Sequence, residues 1–160
     1  MTMQMTNIDQ GVQTFEFVRD EMIEAPIEIV FQAVLDELGP ESQMPDGTGM
    51  AMKLEPWPGG RWFRDLGNNA GHFWGNVQVI KPPTLLELCG PMFMSYPAVN
   101  HAQYRLAAEA GGTRLKFVHK SFGLIPEDHM KGMDMGWNYK IGRIRELADR
   151  RRLISQKESR

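Results

Sequence analysis

Along residues 12–23 apolar side chains alternate with polar ones, with Phe15, Phe17 and Ile23 on one parity and Val18 and Met22 on the other. A period of two over this length predicts a strand covered on one face and partly on the other. Ala25-Pro26 ends it, and the period changes. Ile27, Val30, Phe31, Val34, Leu35 and Leu38 recur at helical spacing, one apolar face of a helix that Pro26 opens and Gly39-Pro40 stops. Residues 41–49, rich in Pro, Gly, Ser and Asp, read as a loop.

From Met50 to Phe122 turn signals recur at short intervals: Pro56 to Gly60, Gly67 to Gly71, Lys81-Pro82-Pro83, Gly90-Pro91 and Gly111-Gly112. Short runs joined in this way predict about six antiparallel strands rather than alternating strand–helix units. After Ile125-Pro126 the period is helical again. Met130, Met133, Trp137, Ile141, Ile144 and Leu147 or Ala148 share one stripe, with Glu127 and Asp128 in the first turn. Arg143, Arg145, Arg150, Arg151 and Arg152 gather toward the far end and read as a solvated face that complements the helix dipole. The order predicts an α+β fold, a curved seven-stranded antiparallel sheet packed on a long C-terminal helix, with a short helix after the first strand. One domain is expected over residues 12–153, with a loose leader at 1–11 and a polar tail at 154–160.

The Gly111-Gly112 hairpin fixes which side chains face inward. With both glycines in the turn, Ala110 opposes Thr113, Leu106 opposes Phe117 and Tyr104 opposes His119. Arg114, Lys116 and Lys120 mark the outer face, so Leu115, Phe117, His119 and Ser121 point inward, with Ala108, Leu106, Tyr104 and Ala102 across from them. Tyr104 and His119 then stand side by side on an apolar wall, within reach of a shared hydrogen bond. Two readings remain open: a polar anchor or acid–base pair in a ligand cavity, and a satisfied core histidine. Met130, Met133 and Trp137 on the final helix would face this wall, as a pliable lining or as plain core. Trp57, Trp62, Phe63, Phe73 and Trp74 crowd two hairpins of uncertain parity, some of them necessarily inside and able to stack on a planar ligand.

Composition narrows the function. The chain of 160 residues is 42% hydrophobic and 24% charged, long enough for one well-buried core. Eighteen Lys and Arg against 20 Asp and Glu give a formal charge of −2, which supplies no basic field for nucleic acid. The single cysteine, Cys89, sits in the strand-like run Leu-Leu-Glu-Leu-Cys, reads as a structural thiol and suits a reducing compartment. His72, His101, His119 and His129 form no metal-ligand spacing, and no glycine pair leads into a phosphate-binding helix, so no metal or cofactor is expected. No signal-peptide pattern or membrane-length apolar run is present, and a cytoplasmic location without membrane insertion is expected.

Five local phrases in order carry a resemblance: Glu24-Ala25-Pro26 entering a helix, Pro58-Gly59-Gly60-Arg61 in a hairpin, Val77 to Pro83 leading into Leu85-Leu86-Glu87, Gly112-Thr113-Arg114-Leu115 with His119, and Gly136-Trp137 in the last helix. Together, across residues 12–150, they resemble the START-like (SRPBCC) superfamily. The nearest branch is the single-domain homologues of the C-terminal domain of the activator of the ninety-kilodalton heat-shock-protein ATPase. The resemblance implies a helix-grip fold, a sheet wrapped round the last helix over a mostly apolar cavity, and leaves the reaction type open. The leading expectation is binding or carriage of a small hydrophobic molecule, lined by Tyr104, Leu106, Leu115, Phe117, His119, Trp74, Met133 and Trp137. The alternatives are a cyclase, dehydratase or hydrolase using His119 and Tyr104, and a cochaperone-like module offering the basic helix end and Met92-Phe93-Met94 to a protein partner, or forming a homodimer.

Overall fold

A computed structural model describes residues 3–5, 11–92 and 95–160. The expected leader lies largely outside the described residues, as do Phe93 and Met94. Strand β1 (Gln13–Ile23) leads into helix α1 (Ile27–Leu38), followed by β2 (Met52–Leu54), β3 (Arg61–Gly67), β4 (Ala70–Lys81), β5 (Leu85–Gly90), β6 (Ala98–Glu109), β7 (Gly112–Gly123) and the long helix α2 (Glu127–Glu158). The strands form one sheet in the order β1-β7-β6-β5-β4-β3-β2, antiparallel throughout. The architecture is the expected α+β helix-grip. Pro26 and Pro126 sit at the N-caps of the two helices, one step ahead of the first helical position. Helix α2 continues to Glu158, so most of the expected tail is helical and exposed.

The β6–β7 register is two residues away from the sequence expectation. The turn is Ala110–Gly111, and Gly112 already pairs with Glu109. Gly111, at φ +86°, supplies the left-handed turn residue, whereas Gly112 is committed to a close approach: a Cβ there would lie 2.1 Å from the Ile23 carbonyl oxygen. A shift of two preserves parity, so the same residues face inward while their opposite numbers change. Tyr104 opposes Phe117, and His119 opposes Ala102.

Helix α2 lies against the inner face with Met133, Trp137, Ile141, Ile144, Leu147 and Ala148 buried, the stripe the periodicity predicts. The arginines of its second half are not a purely solvated face. Arg145 donates to Glu21 and to the Met22 carbonyl at the end of β1, Arg151 pairs with Asp36 of α1, and Arg143 is buried. A long helix that crosses both β1 and α1 needs fixed ends, and the long guanidinium stems reach both. Among the described residues no helix is long and apolar enough to cross a membrane.

Candidate functional site

Strands β5, β6 and β7 build one inner wall by strict alternation. Leu86, Leu88, Ala102, Tyr104, Leu106, Leu115, Phe117 and His119 are all buried. Trp137 stacks obliquely on Phe117 at 4.4 Å between ring centroids, and Phe117 on Tyr104 at 4.8 Å. The expected lining residues Tyr104, Leu106, Leu115, Phe117, His119, Trp74, Met133 and Trp137 therefore belong to one hydrophobic cluster with polar members set into it. Of the five aromatics of uncertain parity, Trp62 and Trp74 are buried and meet edge to face at 5.2 Å. Trp57 and Phe73 are exposed, and Phe63 is half-buried.

His119 is the hub between sheet and helix. The indole N–H of Trp137 donates to its Nδ1 at 2.8 Å, and its Nε2 lies 2.7 Å from Asn100 Oδ1. An indole only donates, so Nδ1 is the bare nitrogen, and the ring proton on Nε2 goes to Asn100. Asn100 is held the right way round because its amide donates to the Pro91 carbonyl. Burial, and secondarily the charge of His101, push the His119 pKa down to about 4, so the ring is neutral and both nitrogens are engaged. Phe15 closes over it edge to face at 5.1 Å.

The expected Tyr104–His119 pair does not form. The register sets them on different cross-strand pairs, and His119 spends its nitrogens on Asn100 and Trp137. Tyr104 is fully buried, and among the described residues its hydroxyl has no hydrogen-bond partner. Burial and then the nearby charge of Glu37 hold its pKa well above the ordinary phenol value, so the hydroxyl keeps its proton.

Glu37 brings in a further buried polar group. It projects from the apolar face of α1, fully buried, and its Oε1 accepts a hydrogen bond from Lys140 Nζ of α2 at 3.1 Å. Its Oε2 has no partner among the described residues, nor has Nε of Arg143, whose Nη1 bonds Glu146. Burial raises the Glu37 pKa to about 7 against the opposing pull of Lys140. Two signals in the sequence mark these residues. Glu37 falls on the helical stripe of Val30 and Val34, and Lys140 lies one turn from Trp137, both at positions where a helix packed on a core is apolar. Asn100 is equally legible, two residues beyond Ala102 on the inward parity of β6.

Several surface cavities are shaped by the same elements. The largest described, about 650 Å³, is lined by the cross-strand rows Thr14–Phe122–Val99, Phe15–Ser121–Asn100 and Glu16–Lys120–His101. Another, about 370 Å³, lies over Arg64, His72, Ser95 and Trp74, and Trp74 is the one expected lining residue to border a described cavity.

A seven-stranded sheet gripping a C-terminal helix across a buried wall defines the helix-grip class. Residues 24–149 match the family model described as activator of Hsp90 ATPase homolog 1-like protein, and the chain belongs to that family. Among solved structures, an uncharacterized protein from Rhizobium leguminosarum superposes with a TM-score of 0.68 at 14% identity, covering 87% of this chain and 97% of that one. CalU16 from Micromonospora echinospora gives 0.58 at 18% identity with 93% of each chain covered. An AHSA1-like protein from Rhizobium etli gives 0.55 at 24% identity, covering 85% of this chain and 82% of that one. At these identities the likeness establishes the fold. No curated protein matches the sequence.

Proposed function

We propose that the protein binds one small, largely apolar molecule between the sheet and α2, with the Tyr104 hydroxyl as its polar contact on the wall. Tyr104 carries this reading: a fully buried phenol among Leu86, Leu106 and Phe117 whose hydroxyl bonds to nothing in the described chain. An unbonded buried hydroxyl costs about 1–3 kcal/mol, and phenylalanine would fill the same space without that cost. A guest that bonds the hydroxyl removes the penalty. Met133, buried on α2, and half-buried Met130 one turn earlier add flexible, polarizable side chains that adapt to an apolar guest.

Catalysis by His119 is the weaker reading, because a general base needs a lone pair open to substrate and the only bare nitrogen of this ring accepts from Trp137. The protein-interaction alternative loses part of its basis too, since Arg143, Arg145 and Arg151 are engaged within the chain.

A thermal-shift screen of delipidated protein against fatty acids, isoprenoids, flavonoids and aromatic polyketides tests the proposal. A ligand at about 100 times its Kd adds about 2.7 kcal/mol, a rise of about 5–11 °C in Tm for a chain this long. The rise should shrink in Tyr104→Phe. No rise with any class, in protein that unfolds cooperatively, rejects interior binding.

A further inference from the structure

Glu37, Tyr104 and Arg143 each leave one buried polar atom without a partner among the described residues, and α1, which carries Glu37, packs on both β6, which carries Tyr104, and α2, which carries Arg143. The charge of Glu37 reaches the Tyr104 hydroxyl, and that of Arg143 reaches Glu37. The three orphan atoms differ in kind. Above about pH 7, where Glu37 is ionised, its Oε2 is an acceptor, Arg143 Nε–H is a donor, and the protonated Tyr104 hydroxyl can donate. The other carboxylate oxygen of Glu37 is already bound to Lys140 Nζ.

We propose that Glu37, with Tyr104 and Arg143, is the polar end of the ligand site and selects an apolar molecule that carries a hydroxyl group. This rests on the interior-binding reading above and adds the class of ligand. A hydroxyl has one proton to give Glu37 Oε2 and lone pairs to receive the Tyr104 or Arg143 proton, which complements the orphan set. An ether of the same skeleton offers no proton and leaves the carboxylate oxygen desolvated and unpaired. A carboxylate offers no proton either and sets a second negative charge against Glu37. Selection by the unpaired partner is the strong form of discrimination, because the wrong ligand leaves a buried polar group unbonded.

The test is a matched series on two skeletons: 2-naphthol, 2-methoxynaphthalene and 2-naphthoate, then 1-decanol, 1-methoxydecane and decanoate, each titrated by calorimetry at about pH 8, above the Glu37 pKa of about 7. In the wild-type protein the alcohol of at least one skeleton should bind at least about tenfold more tightly than its ether and its acid. The charge-neutral pair Glu37→Met/Lys140→Met, which removes the acceptor, should bring the alcohol-to-ether ratio close to one while the ether keeps its affinity. The paired variant guards against misfolding, since replacing both members of a buried ion pair with apolar residues is far better tolerated than removing one. Alcohol and ether binding equally well to the wild type overturns this inference and leaves the interior-binding reading standing. A preference for the acid also overturns it. Failure of both skeletons in every form overturns this inference, and the interior-binding reading falls with it when the thermal-shift screen also shows no rise with any class.

Discussion

His119 and Glu37 are both buried, and the fold shifts them in opposite senses. His119 is held neutral with its pKa lowered to about 4, and Glu37 is raised to about 7. Between about pH 4 and 6.5 the unfolded chain protonates its histidine and the folded chain does not, so this residue makes stability rise with pH and be lost on acidification. Glu37 acts the other way: between about pH 4.5 and 7 the folded chain holds a proton that the unfolded chain has released, so its contribution is present at low pH and lost as pH rises. The two slopes oppose each other over most of one window. We expect a nearly flat urea midpoint from pH 4.5 to 6.5 in the wild type, a midpoint that rises with pH in Glu37→Gln, and one that falls with pH in His119→Gln. Parallel profiles in all three proteins would show that neither shift exists. At neutral pH, His119→Ala should cost about 3–5 kcal/mol, because it opens a cavity and removes the acceptor of the Trp137 N–H and the donor to Asn100 Oδ1; a loss below about 1 kcal/mol in urea unfolding would contradict the hub.

At the scale of elements, the hairpin shows how much a sequence pattern can carry. Alternation gave the inward parity of Tyr104, Phe117 and His119, because a buried face tolerates no shift by one residue. It did not give the register, because the close approach of Gly112 to the distant Ile23 carbonyl leaves no mark in the alternation. That contact has a measurable consequence. Gly112→Ala, at φ +154° with a Cβ driven onto the Ile23 oxygen, should cost well over 3 kcal/mol, whereas Gly111→Ala, at φ +86° in open space, should cost about 1–2 kcal/mol. Similar losses of thermal stability in the two variants would contradict the register. The helices were legible from apolar spacing, but the internal use of Arg145 and Arg151 was not. Their partners Glu21, Met22 and Asp36 lie more than 100 residues away, and a run of arginines has the same pattern whether it faces water or a carboxylate.

For the whole molecule, the fold follows from the order of elements, and the family match over residues 24–149 agrees with it. The candidate site divides differently. Its apolar wall was readable from parity, its polar hub only in part, and Glu37 and Lys140 only as polar residues on apolar stripes, since their pairing across α1 and α2 is a property of packing. Central to the proposed function is that the interior between sheet and helices receives a ligand. Indole N–H resonances of the four tryptophans in a ¹H–¹⁵N spectrum address it directly, because Trp137 and Trp62 are buried on internal acceptors while Trp57 is exposed. Saturating 2-naphthol or 1-decanol should move the Trp137 resonance and leave that of Trp57 in place. Movement confined to Trp57, or no movement at any of the four, would contradict an interior site.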